Sequence, residues 1–66
     1  MSESLPKLRA KIKEEARFID VRPYSHNLVS MMLRQMAKAF GRRAANQAIR
    51  DFRLKRKGYS EEPEDE

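Results

Sequence analysis

Three stretches with helical period, Pro and Gly residues set between them, and no run of alternating polarity predict an all-α fold for this 66-residue chain. The expected architecture is a small three-helix bundle, or a helical hairpin preceded by an N-terminal helix, with a disordered acidic C-terminal tail. Residues 1–60 read as a single basic helical domain with helices over about 4–19, 26–40 and 42–57, and residues 61–66 as the tail.

In the first segment Leu5, Leu8, Ile12, Ala16 and Ile19 recur at three- and four-residue steps and so share one narrow face. Ser2 or Ser4 supplies an N-cap, and Pro6 is tolerated in the first turn, where its missing N–H has no intrahelical partner. Lys7, Arg9, Lys13, Glu14 and Arg17 take the opposite face. The stretch from Asp20 to Tyr24 breaks the helix, because Pro23 disfavours helical geometry at Arg22.

Ser25 then caps a second helix, on which Leu28, Val29, Met32, Leu33, Met36, Ala37, Ala39 and Phe40 fill about half the circumference. So broad an apolar face suits a central helix that touches both others, or a second copy of the chain. Gly41 ends it as a left-handed C-cap. The third segment carries Ala44, Ala45, Ala48, Ile49 and Phe52 on its inner side, with the alanines allowing close approach, and Gly58 stops it. Within an arc of about 100° on its outer side lie Arg42, Arg53, Asn46, Lys57, Arg50 and Arg43, with Gln47 beside them.

A chain this short buries only about 60% of the surface it exposes when unfolded, so its core is small. It has no Cys and one His, which leaves neither a disulfide nor a thiolate or zinc site to reinforce that core. Tight helix packing or homodimer formation is the expected substitute. No apolar run approaches the roughly 20 residues of a membrane span, and the N-terminus lacks a signal-peptide stretch. A cytoplasmic protein without membrane contact or cofactor is expected.

Charge is segregated along the chain. All fifteen Lys and Arg precede Gly58, whereas Glu61, Glu62, Glu64, Asp65 and Glu66 are five of the ten acids; the net charge of +5 therefore combines a body of +10 with a tail of −5. From Arg34 to Lys57 the only acid is Asp51. A polyanion is the partner class this layout favours. Cations at Arg42, Arg43, Arg50, Arg53 and Lys57 suit phosphates, Arg in forked geometry, and the amides of Asn46 and Gln47 suit base edges.

The second helix, Gly41 and the third helix resemble a helix-turn-helix in the spacing of Ala37 and Gly41. They depart from it at Arg42 and Gln47, where that motif wants apolar residues, and an αα-hairpin fits better. His26 beside Ser25 lacks a carboxylate to orient it, and the chain has no Gly-rich phosphate loop; no enzyme is expected. The expected function is a small nucleic-acid-binding protein, for DNA or RNA, using the basic face of the third helix. The alternative is a protein-binding inhibitor or adaptor, of the kind phages and plasmids encode, that docks on an acidic partner with Met31 and Gln35 as contacts.

Overall fold

The computed structural model describes residues 4–63. Three α-helices follow one another, α1 (Leu5–Ala16), α2 (Pro23–Phe40) and α3 (Arg42–Asp51), and a 3-10 turn (Leu54–Lys57) follows them. No strand occurs among the described residues. α2 is the central element and packs against both α1 and α3. Most of its broad apolar face is thereby covered by two neighbours of the same chain, while Ala39 and Phe40 at its end stay exposed.

The core is one cluster: Leu8 and Ile12 from α1, Val29, Leu33 and Met36 from α2, Ala45, Ala48 and Ile49 from α3, and Leu54 from the turn. Ala45 and Ala48 face the core, where their small side chains let the α3 backbone approach α2. Every buried apolar residue except Leu54 is one expected to face inward, whereas Ala39 and Phe40, also expected there, are exposed at the end of α2.

α1 stops at Ala16, three residues short of the expected Ile19. The chain tightens there into bonds spanning three residues, from the Phe18 N–H to the Glu15 carbonyl at 2.9 Å and from the Val21 N–H to the Phe18 carbonyl at 3.0 Å. Arg22 must be extended ahead of Pro23, at φ −113° and ψ 118°, so the reversal is completed before α2 begins. Ser4 occupies the N-cap position of α1, but its hydroxyl makes no capping bond. Ser2 lies outside the described residues.

α2 begins at Pro23 rather than at His26, with the fixed proline ring in the first turn. Ser25 is therefore not a cap. It is fully buried, and its hydroxyl donates to Glu15 Oε1 at 2.9 Å, tying the end of α1 to the start of α2. One residue, Gly41, separates α2 from α3, too short a connection for the three- or four-residue turn of a helix-turn-helix. Its φ of 97° with ψ of 157° is not the expected left-handed helical cap but a region essentially reserved for glycine.

α3 ends at Asp51, well before the expected Lys57. Arg53 adopts the left-handed conformation, φ 55° and ψ 43°, and the 3-10 turn starts after it. At about 100° per residue, an uninterrupted helix would have aimed Arg56 into the core and stood Leu54 opposite Ala45. Breaking at Arg53 buries Leu54 completely and leaves Arg56 exposed. Burying a Leu side chain is worth roughly 1.5–3 kcal/mol, against roughly 1–2 kcal/mol for one left-handed residue. The break wins on that comparison, before counting the cost of a buried guanidinium.

Arg9 of α1 reaches the end of α3. Its Nη2 lies 2.6 Å from Asp51 Oδ2, and its guanidinium sits over the Phe52 ring at 5.0 Å. The hydrogen bond from Arg9, with a second from Gln47, holds the Asp51 carboxyl below the usual aspartate value.

Gly41→Ala should lower stability by roughly 1–3 kcal/mol, read as a drop in urea midpoint at unchanged slope, even though no neighbour crowds the new methyl group. Because Asp51 titrates lower in the folded state than in the unfolded chain, its ion pair stabilises fully at neutral pH and is lost as pH falls below about 3.9. Thermal unfolding of the wild type should therefore decline more steeply than that of Asp51→Asn in this acid range; parallel curves would show the pair contributes nothing.

Candidate nucleic-acid interface

The chain turns back after the 3-10 turn. Gly58 takes the left-handed conformation, φ 99° and ψ 6°, and the Tyr59 N–H donates to the Leu54 carbonyl at 3.2 Å. Tyr59 is then fastened to the start of α2: its hydroxyl donates to the His26 carbonyl at 2.7 Å, and its ring stacks on His26 with centroids 4.8 Å apart. Partial burial pushes the Tyr59 hydroxyl above its ordinary pKa. His26 thus serves as an exposed first-turn residue and a stacking partner, while Tyr24 is 55% exposed.

Beyond Ser60 the chain runs along α3 toward its N-terminus. Glu61 places Oε2 at 3.2 Å from Arg50 Nε and 2.8 Å from Lys55 Nζ. Asn46 engages both backbone groups of Glu62: its Nδ2 donates to the Glu62 carbonyl at 2.7 Å, and its Oδ1 accepts the Glu62 N–H at 2.9 Å. Arg42 Nη1 donates to the Pro63 carbonyl at 3.1 Å. Residues 61–63 are therefore a strap over α3, not the free tail expected of them. Residues 64–66 lie outside the described part of the chain.

Helix geometry explains why these residues meet the strap. Arg42, Asn46 and Arg50 recur every four residues and form one stripe that an extended chain can follow. Asn46 sits at the boundary between the apolar and charged sides of α3, and the strap covers it until it is 2% exposed. A buried amide needs partners for both its donor and acceptor ends, and the Glu62 peptide group satisfies one of each. Asn46 is consequently a docking residue for the chain's own backbone, and it cannot meet a base edge while the strap is in place.

The remaining candidates divide into two groups. Arg43 and Gln47 are exposed on α3 beside the stripe, Gln47 donating to Asp51 Oδ1 at 2.8 Å. Arg53 and Lys57 leave the helical register with the break at Arg53 and line a depression with Phe52 and Arg56. Lys57 pairs with Asp20 of the α1–α2 connection. The single arc of six side chains expected on an uninterrupted helix therefore does not exist as one face.

What the break builds instead is a cationic corner of Arg50, Arg53, Lys55, Arg56 and Lys57 around the end of α3. Lys55 and Arg56 escaped the sequence reading because a continuous helix placed them off the arc. Leu54 carried the missing signal, as an apolar residue standing opposite the inner face. The adjacent acid, Asp51, is engaged by Arg9 and Gln47, so it subtracts little from the corner's outward charge. Positive charge is also favoured at a helix C-terminus by the backbone dipole, which gives the cluster a structural as well as a binding rationale.

Between α2, α3 and the strap lies a half-open groove of about 350 Å³, floored by Leu33, Ala37, Ala45 and Ile49 with Arg34 and Arg42 among its lining residues. On the outer face of α2, Met31 is 57% exposed and Gln35 is exposed beside it, in line with Tyr24. Among the described residues no helix is long and apolar enough to cross a membrane, and no group of three His, Asp or Glu side chains is placed to hold a metal ion.

Asn46→Ala should free the strap without removing any of its charge. The Glu62 amide is expected to exchange with solvent faster, and overall stability to fall by about 1 kcal/mol for each of the two hydrogen bonds lost. Unchanged Glu62 exchange would mean that the Asn46 amide does not hold the strap.

Compared with protein-family models, with curated proteins and with solved structures, the chain matches none of them, so the reading of this surface rests on its own residues and their geometry.

Proposed function

We propose that this chain is a small non-enzymatic nucleic-acid-binding protein that seats a phosphate backbone on the cationic corner at the end of α3. The observation that carries the reading is the concentration of Arg50, Arg53, Lys55 and Arg56 within seven residues, all exposed, around a turn. Compact exposed cations neutralise phosphates and release counterions, and the Arg side chains add forked contacts to phosphate oxygens. Arg43 and the exposed amide of Gln47 extend the same surface along α3, where an amide has the donor and acceptor needed for a base edge. Lys7 and Lys13 of α1 are exposed cations suited to flanking phosphate contacts.

A second reading, an adaptor or inhibitor that docks on an acidic protein, is favoured by a different observation. Met31 is a large apolar side chain left exposed on α2 with Gln35 and Tyr24 around it. It predicts a stoichiometric protein complex that survives nuclease treatment and is broken by Met31→Lys, with nucleic-acid affinity untouched.

Titration of the nuclease-treated protein against labelled duplex DNA, single-stranded DNA and structured RNA at several salt concentrations tests the leading reading. Binding that persists at about 150 mM salt supports it and selects the ligand; weak binding to all three, erased by salt, favours the acidic protein partner. The double variant Arg53→Gly, Arg56→Ala should remain folded, since glycine adopts the left-handed conformation freely at position 53. On duplex DNA it is expected to reduce the magnitude of the salt slope by about 0.9 for each phosphate contact removed. An unaltered slope and affinity would take the corner out of the interface.

A further inference from the structure

We propose that Arg50 and Lys55 form a phosphate subsite, and that Glu61 occupies it in cis, so that residues 61–63 act as a built-in competitor that a nucleic acid must displace. The inference deepens the nucleic-acid reading and rests on it. Its basis is the position of one carboxylate oxygen, Glu61 Oε2, between a guanidinium nitrogen and an ammonium nitrogen at 3.2 and 2.8 Å. A phosphate oxygen makes the same charge-assisted contacts with the same two groups.

The rest of the strap is attached through main-chain atoms. Asn46 binds the Glu62 peptide groups and Arg42 binds the Pro63 carbonyl, so the docking sets where Glu61 reaches without involving the side chain of Glu62. Arg42, Asn46 and Arg50, the stripe the strap covers, are also residues that the sequence assigns to nucleic-acid contact. Arg50 remains 48% exposed and Lys55 60% exposed around Glu61, and ion pairs at that exposure are weak and salt-sensitive. The strap is therefore placed to be exchanged for a stronger polyanion and not to close the site permanently.

Competition of this kind lowers the apparent affinity by the fraction of molecules in which the site is open. For a strap docked about nine-tenths of the time, the loss is about tenfold. Removing acids also lessens general repulsion of a polyanion, so truncation alone does not isolate the effect. Asn46→Ala does, because it releases the docking while retaining every acid.

The experiment compares three proteins on short duplex DNA, single-stranded DNA and structured RNA: the full chain, a chain ending at Ser60, and full-length Asn46→Ala. The Glu62 backbone amide and Asn46 side-chain amide are followed by NMR during titration of the full chain. Both variants are expected to bind the preferred nucleic acid about tenfold more tightly at low salt, with the advantage shrinking as salt rises. On saturation, the Glu62 amide of the full chain should move to its position in Asn46→Ala. Tighter binding by the truncated chain alone would reduce the tail to a general charge effect and overturn the proposal. Full-chain binding with no gain in either variant and an unmoved Glu62 amide would overturn it while leaving the nucleic-acid reading intact. If none of the three proteins binds any of the nucleic acids, that reading fails and the phosphate subsite fails with it.

Discussion

Burial of Leu54 is the interaction on which the charged surface depends. Ala45, Ala48 and Ile49 seat α3 on α2, but this short helix closes only part of the small core, and Leu54 completes it. On a continuous helix Leu54 would face away from that core, so the backbone departs from helical geometry at Arg53 and re-enters as a 3-10 turn. Apolar burial outweighs the strain of one left-handed residue. The consequence is electrostatic: five basic residues gather around a corner instead of extending along one helical face. The reversal at Gly58 then points the following segment back over α3.

Polar groups in so small a core have to be matched individually. Ser25, fully buried, donates to Glu15 and thereby fastens α1 to α2. Asn46, nearly as buried, is matched by a main-chain peptide group from the returning segment. Among the described residues no buried side-chain nitrogen or oxygen lacks a partner. Because the Glu62 peptide groups pair with Asn46, packing at the edge of the core and the position of the acidic segment are physically coupled. The two hydrogen bonds between the Asn46 amide and the Glu62 peptide groups favour the strap independently of any attraction between its acids and the helix.

Charge separation along the chain becomes local charge pairing in three dimensions. Asp51 goes to Arg9, Asp20 to Lys57, and Glu61 to Arg50 and Lys55. Each pair is substantially exposed, so none is a large source of stability, yet together they determine which cations face outward with no carboxylate of the described residues paired to them. Arg53 and Arg56 stand where the chain curves, and the Glu61 contact marks a place where an anion already fits.

The periodicity of the sequence by itself determined the all-helical class, the central position of α2 and every buried apolar residue except Leu54, because apolar residues at three- and four-residue steps have one side on which to be buried. It also located the basic segment. Tertiary structure alone decided where helices end and which charges meet. Ser25 reads as a cap until Glu15 is brought to it, and Asn46 reads as a base-contacting amide until Glu62 arrives from sixteen residues away. Helical periodicity treats each segment as an isolated cylinder, whereas the break at Arg53 follows from a core that α3 alone does not fill. The acidic segment likewise has no pattern of its own, and its place on α3 exists only once Leu54 is buried and Gly58 has turned the chain.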